Sequence, residues 1–197
     1  FAALKEDFEK ANGKGSFDYT DKKDYDEKVR VKVRENLAVE AYLKLCKVKK
    51  WKYSDLEDYT NQVKNQYLNQ YLNAYLSYGL SVDQAYQYAS QYISQNEQKI
   101  VNAAGEALKQ DLVLYQIAKE QGLTEVSSEE YNEYVDTQVK ETNAYYEATE
   151  TKDSDGNILT VSKSDIVDSY TNGKEGVKKA IVLNRAIEWL GAHITEK

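Results

Sequence analysis

The chain of 197 residues contains no proline, no methionine, one cysteine and one histidine. A single cysteine cannot form an internal disulfide, which is typical of proteins in a reducing compartment. The absence of proline favours long uninterrupted helices, since a proline in a helix interior costs about 3 kcal/mol. The lack of methionine, in a chain that starts at Phe1, leads us to expect a processed protein or a fragment.

The chain also lacks long hydrophobic runs and an excess of positive charge. No stretch approaches the roughly 18 consecutive apolar residues of a membrane span, so we expect no membrane insertion. The formal net charge of −7 argues against nucleic acid as the main partner. With 41% hydrophobic and 30% charged residues, the composition predicts a soluble globular protein. We expect a cytoplasmic location; the alternative is an exported, surface-anchored protein whose signal has been removed.

Apolar residues recur every three or four positions through most of the chain, and no alternating strand pattern of any length is present. This spacing predicts an all-α fold with several long helices. A glycine-containing break near Asn12 to Ser16 separates a short first helix from the rest. We therefore expect an N-terminal helical strap over residues 1–16 and a helical domain over residues 17–197.

The stretch from Leu112 to Tyr131 predicts a helix, a tight stop and a second helix. Gly122 can adopt the left-handed conformation that ends a helix. Ser127 and Glu130 have the spacing of a capping box, and Val126 can pack on Tyr131 as a hydrophobic staple. Similar capping boxes are predicted at Ser54 with Glu57 and at Ser81 with Gln84.

Two further helices have a clear apolar stripe in the sequence. The helix that Asp21 caps is expected to bury one stripe, with Glu35 on the opposite, polar face: Tyr25, Val29, Val33, Leu37, Ala41 and Leu45. The helix before Gly122 is expected to bury Ile100 or Val101, Ala104, Leu108, Leu112, Tyr115 and Ala118. In the last helix, Gly191 suggests an end one turn before the C-terminus.

No set of residues indicates catalysis, a metal or a cofactor. Cys46 and His193 are the only possible Cys-His pair, and nothing in the sequence suggests that they meet. The segment Asp153–Asn157 resembles the middle of an EF-hand loop, but Thr151 and Ser162 occupy the positions that need acidic ligands. An ordinary turn is favoured there, and we expect the protein not to be an enzyme.

A lysine-rich segment precedes the first tyrosine-rich helix. Trp51 stands among Lys44, Lys47, Lys49, Lys50 and Lys52, a mixture that nucleic-acid surfaces can show. The alternative is a solvated connector beside an acidic neighbour. The net charge of −7 favours the connector.

Tyrosine is the most unusual component: the chain has 18 tyrosines, and nine of them lie from Tyr53 to Tyr92 among glutamine and asparagine. About half of these rings are expected to fill space between helices. The remainder would present amphipathic rings to a partner, because they give apolar contact without requiring a particular sequence. This pattern is typical of a surface that binds irregular, partly apolar chains.

Several stretches carry a family resemblance. The motif Leu112-Val-Leu-x-x-Ile-Ala-x-x-x-Gly-Leu, the segment Val126 to Tyr131 that follows, and the closing segment Ile181 to Glu196 resemble the C-terminal chaperone domain of bacterial trigger factor. Leu43-x-x-Cys-x-Val, Ser54-Asp-Leu and Tyr78-Gly-Leu-Ser are similar in order and spacing to the first arm of that family. The resemblance covers most of the chain from about Tyr19 onward.

The resemblance implies a helical body with two protruding arms that cradles unfolded or nascent chains without ATP. The periplasmic chaperone SurA has a similar arm architecture. The chain has neither the Gly-Phe-Arg-x-Gly-Lys ribosome-docking signature nor a stretch that resembles the FKBP-like isomerase domain. Ribosome binding and isomerase activity are therefore not expected of it.

The leading hypothesis is an ATP-independent holdase for unfolded or nascent polypeptides. Its candidate client-binding residues are Tyr67, Tyr71, Tyr75, Tyr78 and Tyr86. The alternative is a helical interaction or scaffold module with one dedicated partner, as in an exported SurA-like or lipoprotein relative. The sequence leaves the oligomeric state open.

Overall fold

The computed structural model describes residues 2–12, 19–152 and 156–193 of the chain. Within these ranges it contains eight helices and no strand, apart from one isolated antiparallel bridge between Lys152 and Ile158. The all-α prediction is confirmed, whereas the arrangement as body and arms stays a prediction. The helices are α1 Ala2–Asn12, α2 Lys22–Leu45, α3 Tyr53–Ser77, α4 Val82–Gln95, α5 Glu97–Glu120, α6 Ser128–Ala148, α7 Lys163–Ser169 and α8 Lys174–His193.

The chain divides into two compact units. The first unit combines residues 1–41 with residues 115–197, and the second comprises residues 42–114. Helix α1 packs against α6 within the first unit. The predicted boundary between a strap over residues 1–16 and a domain over residues 17–197 falls among residues 13–18, outside the described part of the chain.

The core of the first unit is aliphatic and joins α6, α7 and α8. Val135, Ile166, Val177 and Ile181 form its buried centre. Partly buried side chains pack around that centre, among them both members of the predicted staple: Val126, Tyr131, Tyr134, Val139, Val161, Val167 and Tyr170. The Asn143 side chain exchanges two hydrogen bonds with the backbone of Val161, at 2.7 and 3.1 Å, and so fixes the segment before α7 against α6.

The corner between α5 and α6 forms as predicted, with one difference. Gly122 has a φ of +70°, and the Leu123 N–H donates to the Ala118 carbonyl at 2.8 Å, which closes the end of α5. Ser127 Oγ accepts from the Glu130 N–H at 3.2 Å. The reciprocal half of the capping box is wrong, because the Glu130 carboxylate pairs with the Arg185 guanidinium of α8 instead.

Arg185 holds this corner from outside the two helices that form it. Its guanidinium donates to the carbonyls of Leu123, at 3.0 Å, and Glu125, at 2.6 Å, while it pairs with Glu130. A planar guanidinium can satisfy several oxygens at once, which a lysine cannot do with the same geometry. The corner is therefore fixed to α8 as well as capped locally.

The other predicted capping boxes have different outcomes. Ser81 and Gln84 form both reciprocal hydrogen bonds at the start of α4. At the start of α3 the prediction is wrong: the helix begins at Tyr53, and Lys52 precedes it without a side-chain cap. Ser54 Oγ donates to the Asp55 carboxylate at 3.1 Å, because Ser54 already lies inside the helix.

Helix α2 buries the face that the sequence predicts to be polar. Its buried residues are Glu35, Ala38 and Val39, whereas Val33 and Leu37 of the predicted stripe are 50% and 59% exposed. The reason is a close approach to α8, where a Cβ on Gly191 would lie 3.2 Å from the Glu35 Cα and 2.5 Å from its Cγ. Only a small residue on α8 permits this contact, so backbone proximity selects the face.

Gly191 is therefore a packing residue rather than a helix stop. Helix α8 continues through it to His193, the last described residue.

Helix α5 changes its buried face along its length. Ile100, Ala104 and Leu108 are buried as predicted, but Leu112 is 53% exposed and Tyr115 is exposed as well. Ala118 is buried as predicted, and Leu114 and Ile117 are buried in place of Leu112 and Tyr115. Leu114 lies about 120° around the helix from Leu108 at 3.6 residues per turn. The buried face changes near residue 114, where the second unit ends along the chain. A single apolar stripe therefore does not describe the whole helix.

Candidate functional site

The candidate site lies on α3 and α4, which pack together in the second unit. Residues 78–81 connect the two helices. Tyr71 faces Tyr92 and Tyr75 faces Tyr88, so a step of four residues up α3 matches a step of four residues down α4. This register is that of an antiparallel helical hairpin. Near its start, α3 is tied to α5 by the Tyr59 hydroxyl, which donates to the Asp111 carboxylate.

Five rings form a continuous tyrosine cluster on this hairpin: Tyr67, Tyr71, Tyr75, Tyr88 and Tyr92. Neighbouring rings on α3 lie 6.3 Å apart between centroids, from Tyr67 to Tyr71 and from Tyr71 to Tyr75. Tyr92 bridges to Tyr67 at 6.5 Å and to Tyr71 at 3.9 Å. Tyr88 lies 5.7 Å from Tyr75. The cluster spans two helical turns of α3, since its members there are spaced by four residues.

The centre of the cluster is the pair Tyr71 and Tyr92. The hydrogen bond between their side chains, with burial and the neighbouring phenols Tyr67 and Tyr75 as further causes, raises the pKa of Tyr71 to about 12. The Tyr71 phenol therefore stays neutral throughout the physiological range. The cluster consists of phenol rings with their hydroxyls and contains no carboxylate, amine or thiol.

Much of this hairpin surface remains accessible. None of the 25 residues of α3 is buried, although the helix has leucine or tyrosine at most positions of one face. Helix α4, with 14 residues, buries only Ala85 and Ala89. Small alanines let the helices approach closely while the larger tyrosines spread around the contact. The rings thus form a half-exposed surface rather than a sealed core.

The structure groups three of the five sequence-based candidates. Tyr67, Tyr71 and Tyr75 belong to the tyrosine cluster, whereas Tyr78 and Tyr86 lie outside it and are 80% and 54% exposed. Sequence reasoning missed Tyr88 and Tyr92. Their spacing of four residues repeats that of Tyr71 and Tyr75, so pairing the two helices as an antiparallel hairpin would have found them.

A second feature of the same unit is a cleft of about 360 Å³ beside the connector before α3, which we call the lysine cleft. Five lysines surround it: Lys47, Lys49, Lys50, Lys52 and Lys109. The remaining lining residues are Cys46, Val48, Trp51, Asp55, Leu108, Leu112 and Val113.

Cys46 and His193, the possible Cys-His pair of the sequence, belong to different units, Cys46 to the second and His193 to the first. Cys46 lines the lysine cleft, and His193 stacks on Trp189 at 4.2 Å with its Nδ1 2.7 Å from the Trp189 carbonyl. No group of three or more His, Cys, Asp or Glu side chains is placed to hold a metal in the described ranges. Asp153 to Asp155, the centre of the EF-hand-like segment, lie outside them.

None of the described helices is both long enough and apolar enough to cross a membrane.

Comparison of the chain with models of known protein families, with curated proteins and with solved structures gives no match. The resemblance to the trigger factor chaperone domain stays a prediction from the sequence.

Proposed function

We propose that this protein is an ATP-independent holdase that binds unfolded or nascent polypeptides on the α3–α4 hairpin. The observation that carries the proposal is the tyrosine cluster, five adjoining rings on a helix pair whose longer member has no buried residue. In this proposal the chain catalyses no reaction. The proposal also includes a cytoplasmic location.

Tyrosine suits such a surface for two physical reasons. A tyrosine ring buries a large area at a low entropic cost, because only two side-chain torsions must be fixed. Its hydroxyl can meanwhile bond to backbone groups of an irregular chain, whatever the sequence of that chain. The neutral Tyr71 hydroxyl adds no charge that would select one client over another.

The test replaces Tyr71 and Tyr75 together by serine and measures suppression of the aggregation of a chemically unfolded protein. We expect the variant to lose most of its suppression, because the centre of the cluster is gone. The matched control is the double replacement of Tyr145 and Tyr146 by serine, since these adjacent rings lie 6.0 Å apart on α6, outside the hairpin. The control should suppress aggregation as the wild type does.

Circular dichroism must show that both variants keep their helix content. If the hairpin variant remains folded and suppresses aggregation fully, the tyrosine cluster is not the client surface.

A second candidate function rests on the exposed side chains near the hairpin turn. Tyr78, Val82 and Tyr86 are all more than half exposed, so they could form a compact contact patch for one protein partner. This scaffold function predicts one saturable partner and no protection of generic unfolded proteins. Replacing Tyr78 and Tyr86 by serine would then abolish that interaction, while the holdase function predicts a smaller effect from these residues than from Tyr71 and Tyr75.

A further inference from the structure

The lysine cleft combines features that lie far apart in the sequence. One wall is the connector, in which residues 46–52 belong to no helix. The opposite side comes from α5, which supplies Leu108, Leu112, Val113 and Lys109. The Trp51 ring lies over Gly105 of α5, with its Cζ2 3.6 Å from where a Cβ of that glycine would be. The tryptophan thereby attaches the connector to α5 and leaves its lysines around an apolar floor.

The charge of the cleft is opposite to that of the chain. The described part of its lining has five lysines against one aspartate, a net of four positive charges, whereas the whole chain has a net charge of −7. Lys52 pairs with Asp55 at 3.3 Å. Among the described residues, Lys47, Lys49, Lys50 and Lys109 form no ion pair. A group of like charges without ion-pair partners raises the local concentration of ligands of the opposite charge.

The apolar floor of the cleft restricts the kind of ligand further than the lysines do. Leu112 is 53% exposed and Val48 is also exposed, so part of this apolar surface is open to a ligand. A simple solvated connector explains the lysines of the connector, but not the convergence of Lys109 and an open apolar floor on the same cleft. The ligand that fits must be both anionic and apolar.

We propose that the lysine cleft binds an extended acidic peptide segment that carries large apolar side chains. In an extended peptide, successive side chains point to opposite sides, so acidic residues can face the lysines while alternate apolar residues reach the floor. All four lysines of the connector line the cleft, namely Lys47, Lys49, Lys50 and Lys52, so several acidic residues of the peptide can find a positive partner.

The same features disfavour a nucleic acid. A long polyanion would meet the overall negative charge of the protein beyond the cleft, which opposes its binding. Of the described residues that line the cleft, Trp51 alone is aromatic, whereas single-stranded nucleic acids are held by several stacking rings. An aliphatic floor accommodates leucine or phenylalanine side chains better than the polar edges of bases.

The experiment uses the fluorescence of Trp51. The chain has two tryptophans, so W189F leaves Trp51 as the only one. In this background we would titrate a synthetic peptide of alternating aspartate and leucine. The comparison ligands are the same peptide with lysine for aspartate, the same peptide with serine for leucine, and a single-stranded oligonucleotide of similar length. We expect the acidic apolar peptide to bind most tightly, by about ten-fold over each of the others.

Charge reversal gives the matched variants. K49E with K50E should weaken binding of the acidic apolar peptide by about ten-fold or more, because two attractions become repulsions. K22E with K23E makes the same change in net charge on α2, outside the cleft, and should leave the affinity within about two-fold of the wild type. Replacement of the exposed Leu112 by serine should weaken binding of this peptide without changing its dependence on salt.

The proposal is independent of the tyrosine cluster, so the Tyr71 and Tyr75 serine variant should bind the acidic peptide normally. Equal binding of the acidic and basic peptides, or no binding of either, would overturn the proposal. If the oligonucleotide binds more tightly than the acidic apolar peptide, the proposal is wrong and the lysine cleft is a nucleic-acid surface.

Discussion

In the first unit, Tyr134 and Tyr170 meet edge to face over a closed aliphatic core, with their hydroxyls 2.9 Å apart. In the second unit, Tyr71 and Tyr92 also pair, but on a hairpin whose longer helix buries no residue. Burial is the largest cause of the raised pKa of Tyr170, whereas the hydrogen bond to Tyr92 is the largest cause for Tyr71. The first unit uses tyrosine to complete a core, and the second uses it to make a surface.

The largest expected effect comes from the close approach of α2 and α8. Gly191→Ala should lower the free energy of unfolding of the first unit by about 3 kcal/mol, because its Cβ would overlap Glu35. Gly105→Ala is the matched change in the second unit, where the new Cβ would make an ordinary contact with Trp51. It should be neutral or stabilising by up to about 1 kcal/mol, since alanine favours a helix.

Urea unfolding followed by circular dichroism measures both changes. Equal destabilisation by the two alanines would show that the packing of α2 on α8 is not tight.

The next effect separates the closed core from the open hairpin. Val177→Ala removes two methyl groups from a fully buried position and should cost about 2 kcal/mol. Leu72→Ala removes a half-exposed side chain of α3 and should cost about 1 kcal/mol or less. Trp189 reports unfolding of the first unit and Trp51 that of the second, so fluorescence with one tryptophan replaced assigns each loss to its unit. A larger loss of stability for Leu72→Ala than for Val177→Ala would mean that the Leu72 side chain is buried in solution.

A smaller effect compares two serines near helix starts. Ser127→Ala should cost about 1 kcal/mol, because its hydroxyl accepts from the Glu130 N–H. Ser54→Ala should change stability by less than about 0.5 kcal/mol, since Ser54 lies inside α3 and caps nothing. Thermal unfolding of the two variants provides the measurement. A loss of stability at Ser54 as large as that at Ser127 would show that Ser54 caps α3 as the sequence predicts.

The smallest effect is a dependence on alkaline pH. The ordinary tyrosine pKa is 10.0 and that of folded Tyr71 is about 12, so the unfolded chain ionises this phenol first. Its contribution to stability is present below pH 10 and is lost as pH rises towards 12. Tyr71→Phe should therefore show a smaller loss of stability between about pH 9 and about pH 11.

Urea unfolding at both pH values measures this loss. Tyr170→Phe should behave similarly in the first unit, for the different reason of burial. If Tyr71→Phe and the wild type lose the same stability between these pH values, the hydrogen bond to Tyr92 does not raise the pKa of Tyr71.

Local sequence signals predicted the helices and most of their ends. Gly122, Ser127 and the Ser81–Gln84 pair depend on atoms within one helical turn, so their geometry can be predicted from neighbours in the chain. The Glu130 prediction was wrong because Arg185, 55 residues away, competes for the same carboxylate. A distant partner of this kind leaves no signal in the spacing of residues.

The burial of α2 shows the same limit in packing. Its apolar stripe is more regular than the face that the structure buries, yet the absence of a side chain at Gly191 decides the contact. For the candidate site, the sequence predicted the tyrosine-rich helix and three members of the cluster. Tyr88 and Tyr92 depend on the pairing of α3 with α4, which is a tertiary feature.

The most direct test of the account is photo-crosslinking of an unfolded client to two positions of matched exposure. Tyr88 of the tyrosine cluster and Tyr145 of α6 are 49% and 47% exposed, so accessibility alone would make them equivalent. A photoreactive phenylalanine derivative would replace each in turn, with a reduced and alkylated protein as the client. A client surface on the hairpin should give strong crosslinks from position 88 and weak crosslinks from position 145. Equal crosslinking from both, or stronger crosslinking from position 145, would contradict a client surface on the hairpin.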